Sequence, residues 1–298
     1  MTKGAEVLTP AESDEFVRNG FIVKRGLLSA EHCARCLDTA WRILGTKGLT
    51  QDPGTWKRTY ARRGVVKIRD GIQQDPAVDA IANDANVQRV ARELIGADVE
   101  NLGVRGLYPT FPIPRRISRP YEAHIENHSV QLFVMYYLAA VGVRGAGLYV
   151  WPGSHHDVYA TMERKFDYCP TPTFIEAYDR YNVLGPIEWT GAAGDVLFAH
   201  HRLMHSGSNN FSRRVRFAVL HDFLSRDYES LRLERGDTAQ MWDYWSPGIR
   251  AAAQRLGPNP APAIEPRRRA SRALLIRGQE LLRRLKGSAR HAYLEPRS

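Results

Sequence analysis

His124-Ile125-Glu126, His205 81 positions after His124, and Arg216 eleven residues further on are the residues of this chain whose types and spacing could do chemistry together. Two imidazoles and one carboxylate leave open positions on a first-row metal, the donor set of a non-haem Fe(II) oxygenase. Side chains at i and i+2 of an extended segment point the same way, so His124 and Glu126 can grip one ion from a strand edge. Arg216 sits in a strand-like run one hairpin after His205, where its guanidinium could clamp a carboxylate through two parallel hydrogen bonds. An H-x-E tripeptide alone reads more readily as a polar surface strand; the company of His205 and Arg216 makes it a ligand pair. His128 falls on the same strand face and competes as a ligand. His200 and His201 flank a strand end and read as packing groups or as partners of the ligands. His155 and His156 follow a Pro-Gly-Ser turn and either face a pocket or cap that turn.

These residues need strands to hold them. Val130–Leu138 (VQLFVMYYL), Gly147–Trp151, Asp195–His200 and Val215–Phe223 are β-branched and aromatic runs bounded by Gly and Pro turns. One of Tyr136 and Tyr137 must face the interior, because strand side chains alternate. Short strands without βαβ alternation indicate a sandwich or closed double sheet rather than a Rossmann fold. Ahead of them, the sequence predicts a helix opening at Ala11, a strand at Gly20–Val23, and a Ser29-capped helix from Ala30 to about Leu44, ended by Gly45. Helical spacing runs through 76–96, with Gly96 as its stop. Cys33 and Cys36 lie three apart on the second helix and read as small buried residues, since no second pair follows to complete a zinc site. Residues 155–186 are rich in Tyr, Pro and charge without clear periodicity, a length and composition that suit a lid. After Arg226 the chain turns helical.

The 298 residues are 43% apolar, enough for an ample core, and contain no apolar run long enough to span a membrane. Three cysteines are too few for a disulfide framework, and the N-terminus has no apolar signal core, so the cytoplasm is the expected compartment. The net charge of +10 is concentrated at one end: Arg250–Ser298 holds 12 Lys and Arg against 3 Asp and Glu. The body is nearly neutral and shows no basic-aromatic groove, which argues against a nucleic-acid-binding core. After the linker at 257–266, residues 268–286 place leucines on one side and Arg/Lys mainly elsewhere. That pattern is a basic amphipathic helix that is solvated, lies on an anionic membrane, or docks an acidic partner.

The chain resembles the phytanoyl-CoA dioxygenase family of Fe(II)/2-oxoglutarate oxygenases. EFVRNGFIVKRGLLSAEHC is similar to its N-terminal signature, LYVWPGSH to its strand followed by PGSH, and His205, Asn210, Ser212 and Arg216 to its H…N-x-S…R element. The resemblance covers roughly residues 15–225. It implies a double-stranded β-helix, that is a mainly β, jelly-roll or cupin-like core with flanking helices. Iron ligands would be His124, Glu126 and His205, with 2-oxoglutarate held by Arg216 and helped by Ser212 or Lys67, and O2 as the oxidant. Glu126 departs from the family's usual H-x-D. As a carboxylate it argues against halogenation, in which a small residue admits chloride.

The combined expectation is an oxygenase domain over 1–256 and a linker with a basic helical tail over 257–298. The activity expected is hydroxylation of an aliphatic C–H bond in a small or carrier-tethered metabolite. Desaturation, epimerisation or cyclisation at the same centre, and a non-catalytic scaffold with a degenerate metal site, are the alternatives.

Overall fold

Thr9 accepts a hydrogen bond from the Glu12 backbone N–H while the Glu12 carboxylate takes the Thr9 N–H, and this reciprocal cap starts α1 (Pro10–Asn19). Gly20 ends it in the left-handed region at φ 79° and turns the chain into β1 (Phe21–Lys24). Ser29 caps α2 (Ala30–Thr46), which runs one residue beyond Gly45. Cys33 and Cys36 are buried on its inner face, where burial pushes the Cys36 thiol up to about 12, so both pack rather than react. The helical spacing of 76–96 divides into α3 (Pro76–Ala82) and α4 (Ala85–Ile95). The Asp84 carboxylate accepts from the N–H groups of Asn86 and Val87, starting a second helix where periodicity alone predicts a continuation.

This computed structural model describes residues 7–118 and 123–264, with the backbone alone of 182–183 and 267–268. The amphipathic helix expected over 268–286 therefore lies outside the described residues, apart from the backbone of its first residue. After α4 come β2 (Val99–Leu107), β3 (Leu132–Tyr137), β4 (Leu148–Val150), α5 (Ser154–Tyr159), α6 (Phe174–Val183), β5 (Leu184–Gly185) and β6 (Ile187–Trp189). Then follow β7 (Val196–His200), β8 (His205–Gly207), β9 (Ala218–Ser225), α7 (Tyr228–Leu231), α8 (Pro247–Leu256) and β10 (Arg267–Arg268). Among the described residues no helix is long and apolar enough to cross a membrane.

The strands pair antiparallel into a five-stranded sheet ordered β1-β7-β3-β9-β2, a three-stranded sheet ordered β6-β4-β8, and the small β10-β5 pair. All six residues of β3 are buried, and alternation explains why. Leu132, Val134 and Tyr136 pack outward with the helices, beside Phe16, Leu44 and Val90. Phe133, Met135 and Tyr137 pack inward against Leu148, Val150 and Trp189 of the small sheet. Tyr137 is the interior one of the tyrosine pair. It stacks on Trp189 at 4.0 Å, accepts from the Leu148 N–H and donates to the Trp189 carbonyl, tying the two sheets together.

The expectation of a mainly β, jelly-roll core with flanking helices is met in part: the sheets are antiparallel with helices against them, and the architecture is mixed α and β. Among the described residues, no strand pairing closes the two antiparallel sheets on each other, and helices cover the outer face of the larger one. The segment expected to be an irregular lid contains two helices, α5 and α6.

Candidate active site

A cavity of about 1310 Å³ opens between the two sheets and is lined by His124, Glu126, His205, Arg216 and Lys67. A smaller cavity of about 270 Å³ beside Asn83 and Asn101 carries, among the described residues, one carboxylate, Asp79, and no histidine.

The two histidines come together through the backbone. His124 and His205 form an antiparallel bridge in which each N–H donates to the other's carbonyl, at 3.0 and 2.9 Å, and their rings lie 4.5 Å apart. His205 Nδ1 lies 2.9 Å from the Leu203 carbonyl, which accepts only if Nδ1 carries the proton. That tautomer leaves the lone pair on Nε2, which faces Glu126 Oε1 at 3.4 Å. Phe133 packs against the imidazole at 4.6 Å and limits its rotation.

Glu126 is buried, and two neighbours compensate its charge. Arg105 Nη1 donates to Oε2 at 2.9 Å, and His128 Nδ1 lies 3.3 Å from the same oxygen. Arg105 is itself held by Asp222 through Nε, at 2.8 Å, and through Nη2. His128 Nε2 reaches Asp222 Oδ2 at 3.2 Å, which closes the ring of partners. Burial by itself would raise the Glu126 carboxyl, but the Arg105 guanidinium, through its charge and its hydrogen bond, and the adjacent His128 hold it far below the usual carboxylate range. Burial likewise disfavours the Arg105 cation, and its hydrogen bonds and charge contacts with Asp222 and Glu126 outweigh that.

Arg216 precedes β9, where its backbone pairs with Thr110 at 2.7 and 3.0 Å. Its buried guanidinium donates to two carbonyls, from Nε to Ala146 at 2.9 Å and from Nη1 to Tyr108 at 3.2 Å. No carboxylate pairs with it among the described residues, and burial draws it below its ordinary range, with Tyr137 acting the other way. A buried cation satisfied only by carbonyls is costly unless an anion joins it.

Ser212 lies elsewhere. Its hydroxyl donates to Asn210 Oδ1 at 2.7 Å, while Asn210 Nδ2 donates to the Thr110 and Arg214 carbonyls, both at 2.7 Å. The N-x-S element thus clamps the turn that presents Arg216, and Ser212 is not among the residues that line the cavity. Lys67 does line the cavity, exposed on its rim. His155, His156, His200 and His201 are buried away from the cavity wall, with His155 and His200 beside Trp242 and Phe16 close to His200. Arg105 and Asp222 escaped the sequence reading. The available signal was an acid within the apolar run VRFAVLHDF, since a buried charge requires a partner.

The donor types fit iron. Glu126 Oε1 and His205 Nε2, 3.4 Å apart, can both reach one ion at bond lengths of roughly 2.1 Å. As the side chains stand, no three His, Cys, Asp or Glu among the described residues form a closed ligand group.

Several solved structures share this architecture. HygX from Streptomyces hygroscopicus, with nickel and 2-oxoglutarate bound, is 13% identical with a TM-score of 0.53, covering 74% of this chain and 88% of HygX. The non-heme alpha ketoglutarate dependent carbocyclase SnoK from nogalamycin biosynthesis is 19% identical with a TM-score of 0.50, over 77% of this chain and 92% of SnoK. EctD from S. alaskensis, in its apoform, is 20% identical with a TM-score of 0.50, over 79% and 82%. At these identities the likeness is one of fold. Comparison with curated proteins finds no match. Residues 16–218 match the phytanoyl-CoA dioxygenase (PhyH) family, and the chain belongs to that family of Fe(II)- and 2-oxoglutarate-dependent oxygenases.

Proposed function

We propose that this protein is an Fe(II)- and 2-oxoglutarate-dependent dioxygenase that hydroxylates an aliphatic C–H bond of a small or carrier-tethered metabolite. His124, Glu126 and His205 would hold the iron, and Arg216 the distal carboxylate of 2-oxoglutarate. The observation that carries this reading is the buried Arg216 guanidinium, without a carboxylate partner among the described residues, in the same cavity as a buried carboxylate facing an imidazole. We read the two packed sheets as the halves of the family's jelly roll.

When bound, iron would supply the centre at which O2 is the oxidant for attack on the C–H bond, with 2-oxoglutarate as the co-substrate that gives up two electrons. The chain's own residues orient and shield. Leu203 keeps the His205 lone pair on Nε2, and Arg105 holds Glu126 Oε2 while leaving Oε1 toward His205. Phe174 and Tyr178, one turn apart on α6, line the cavity together with Tyr168 and are placed to exclude water.

Anaerobic addition of Fe(II) and then 2-oxoglutarate to the full chain should raise a weak visible charge-transfer band, and His205→Ala should abolish it. No band in the wild type, or full iron binding and succinate formation by His205→Ala, would refute the assignment.

A further inference from the structure

Three segments meet at the surface beyond the cavity. Residues 110–118, 141–147 and 208–215 carry Arg115, Arg116, Arg144, Arg213 and Arg214 and no Asp or Glu. Backbone bonds hold the segments side by side: Ile113 N–H donates to the Asn210 carbonyl at 2.9 Å, Phe211 N–H donates to the Arg144 carbonyl at 2.8 Å, and Gly145 bridges Asn210. Phe211 stands between them, with the guanidinium carbons of Arg115 and Arg144 at 5.9 and 5.4 Å from its ring centroid. All five arginines are exposed, and none lines the cavity.

The charge of this face is uncompensated. Glu188 is the one carboxylate bonded to these segments among the described residues, and none of the five guanidinium groups meets it. Its Oε2 accepts the Arg144 N–H at 2.9 Å, and its Oε1 accepts the Gly147 N–H and the Ser208 hydroxyl, each at 3.2 Å. None of the five arginines pairs with a carboxylate among the described residues. Beside them Val143 is 76% exposed, more than any other large apolar side chain described. It sits at the tip of a turn closed by Gly145 N–H to the Gly142 carbonyl at 3.0 Å. Arg144 follows it at φ 63°, a left-handed backbone that Gly or Asn adopts at less cost, so an arginine there points to a use for its side chain.

Unpaired guanidinium groups match phosphates, which they hold through two parallel hydrogen bonds. A protruding aliphatic tip among them suits a bilayer surface and gives a polynucleotide nothing to bind. Single strands also need open aromatic faces, and two guanidinium groups already occupy Phe211. We propose that this face docks the protein on an anionic bilayer, with the arginines on lipid phosphates and Val143 in the interfacial layer.

Cosedimentation of the full chain with vesicles tests it, using equal parts phosphatidylserine and phosphatidylcholine against phosphatidylcholine alone. Binding should need the anionic lipid and fall as salt is added. Each arginine at such a surface strengthens binding roughly fivefold, so Arg213→Gln/Arg214→Gln should weaken it about 25-fold. Arg89→Gln/Arg92→Gln removes the same charge from exposed positions on α4 and should change binding less than about threefold. The basic C-terminal tail is unaltered in both variants, so binding through the tail alone would leave both unaffected. Val143→Asp, which puts a carboxylate at the tip, should weaken binding about tenfold. Unchanged thermal melts confirm that the variants are folded. Equal losses in the two arginine pairs, no loss in Arg213→Gln/Arg214→Gln, wild-type binding by Val143→Asp, or equally tight binding to phosphatidylcholine alone would overturn the proposal. So would a fluorescein-labelled DNA duplex that binds through Arg213 and Arg214 while vesicles do not, which would give the face to nucleic acid.

Discussion

Replacing Arg216 by Met separates a guanidinium kept for a ligand from one kept for the fold. The side chain is buried and bonded to two carbonyls, with no carboxylate among the described residues. Losing two neutral-acceptor bonds costs about 1 kcal/mol each, while removing a desolvated cation without a counter-charge returns a similar amount. The apo protein should therefore stay within about 1–2 kcal/mol of the wild type, a shift in Tm of roughly 5 °C or less for a domain of this size. Binding of 2-oxoglutarate should respond very differently. Truncating one partner of a buried, bidentate charge pair costs about 2–5 kcal/mol, so the Kd should rise from roughly 30-fold to several thousand-fold. Arg216→Lys should fall between, since it keeps the charge and loses the planar fork. Anaerobic titration of the charge-transfer band and calorimetry report the affinity, and thermal denaturation without ligand reports the fold. If Arg216→Met instead lost more than about 3 kcal/mol of stability and still bound 2-oxoglutarate normally, the arginine would be a structural tie and the reasoning wrong.

Arg105→Lys keeps one charge but cannot span Glu126 and Asp222 together, so Ni(II) affinity measured by chelator competition should drop tenfold to a hundredfold; unchanged affinity would show that Glu126 needs no such anchor. His155 and His200 are fully buried, and burial first, then neighbouring histidines and, for His200, Arg202, lowers both well below the usual imidazole range. The unfolded chain then binds protons first as the pH falls. Stability should be whole above about pH 6.5 and decline below it by up to about 2.7 kcal/mol per pH unit for the pair, with denaturant midpoints across pH 7 to 5 as the readout and His200→Phe flattening the slope. Gly20→Ala should lose roughly 2 kcal/mol or more in a urea melt, because φ is 79° and a Cβ would lie 2.6 Å from His155 Nδ1.

Local chemistry determined much of this protein. The caps at Thr9 and Ser29, the alternation in β3, and the cation at Arg216 are properties of a few adjacent residues. They are legible without a partner in view. Where a local rule competed with another, the reading slipped: uninterrupted helical spacing over 76–96 hid the Asp84 cap, and β2, with glycines at 103 and 106, offered no strand pattern at all. Tertiary structure alone decided which charges meet. Arg105 on β2, Asp222 on β9 and Glu126 are far apart in sequence, and their contact exists only because β2 pairs with β9 while the segment after His124 lies across the same cavity. It likewise gave Ser212 to the turn before Arg216 and left Lys67 on the cavity rim. A side chain's type sets what it can bind, but its partner is chosen by strand order and register, which depend on contacts spread over the whole chain.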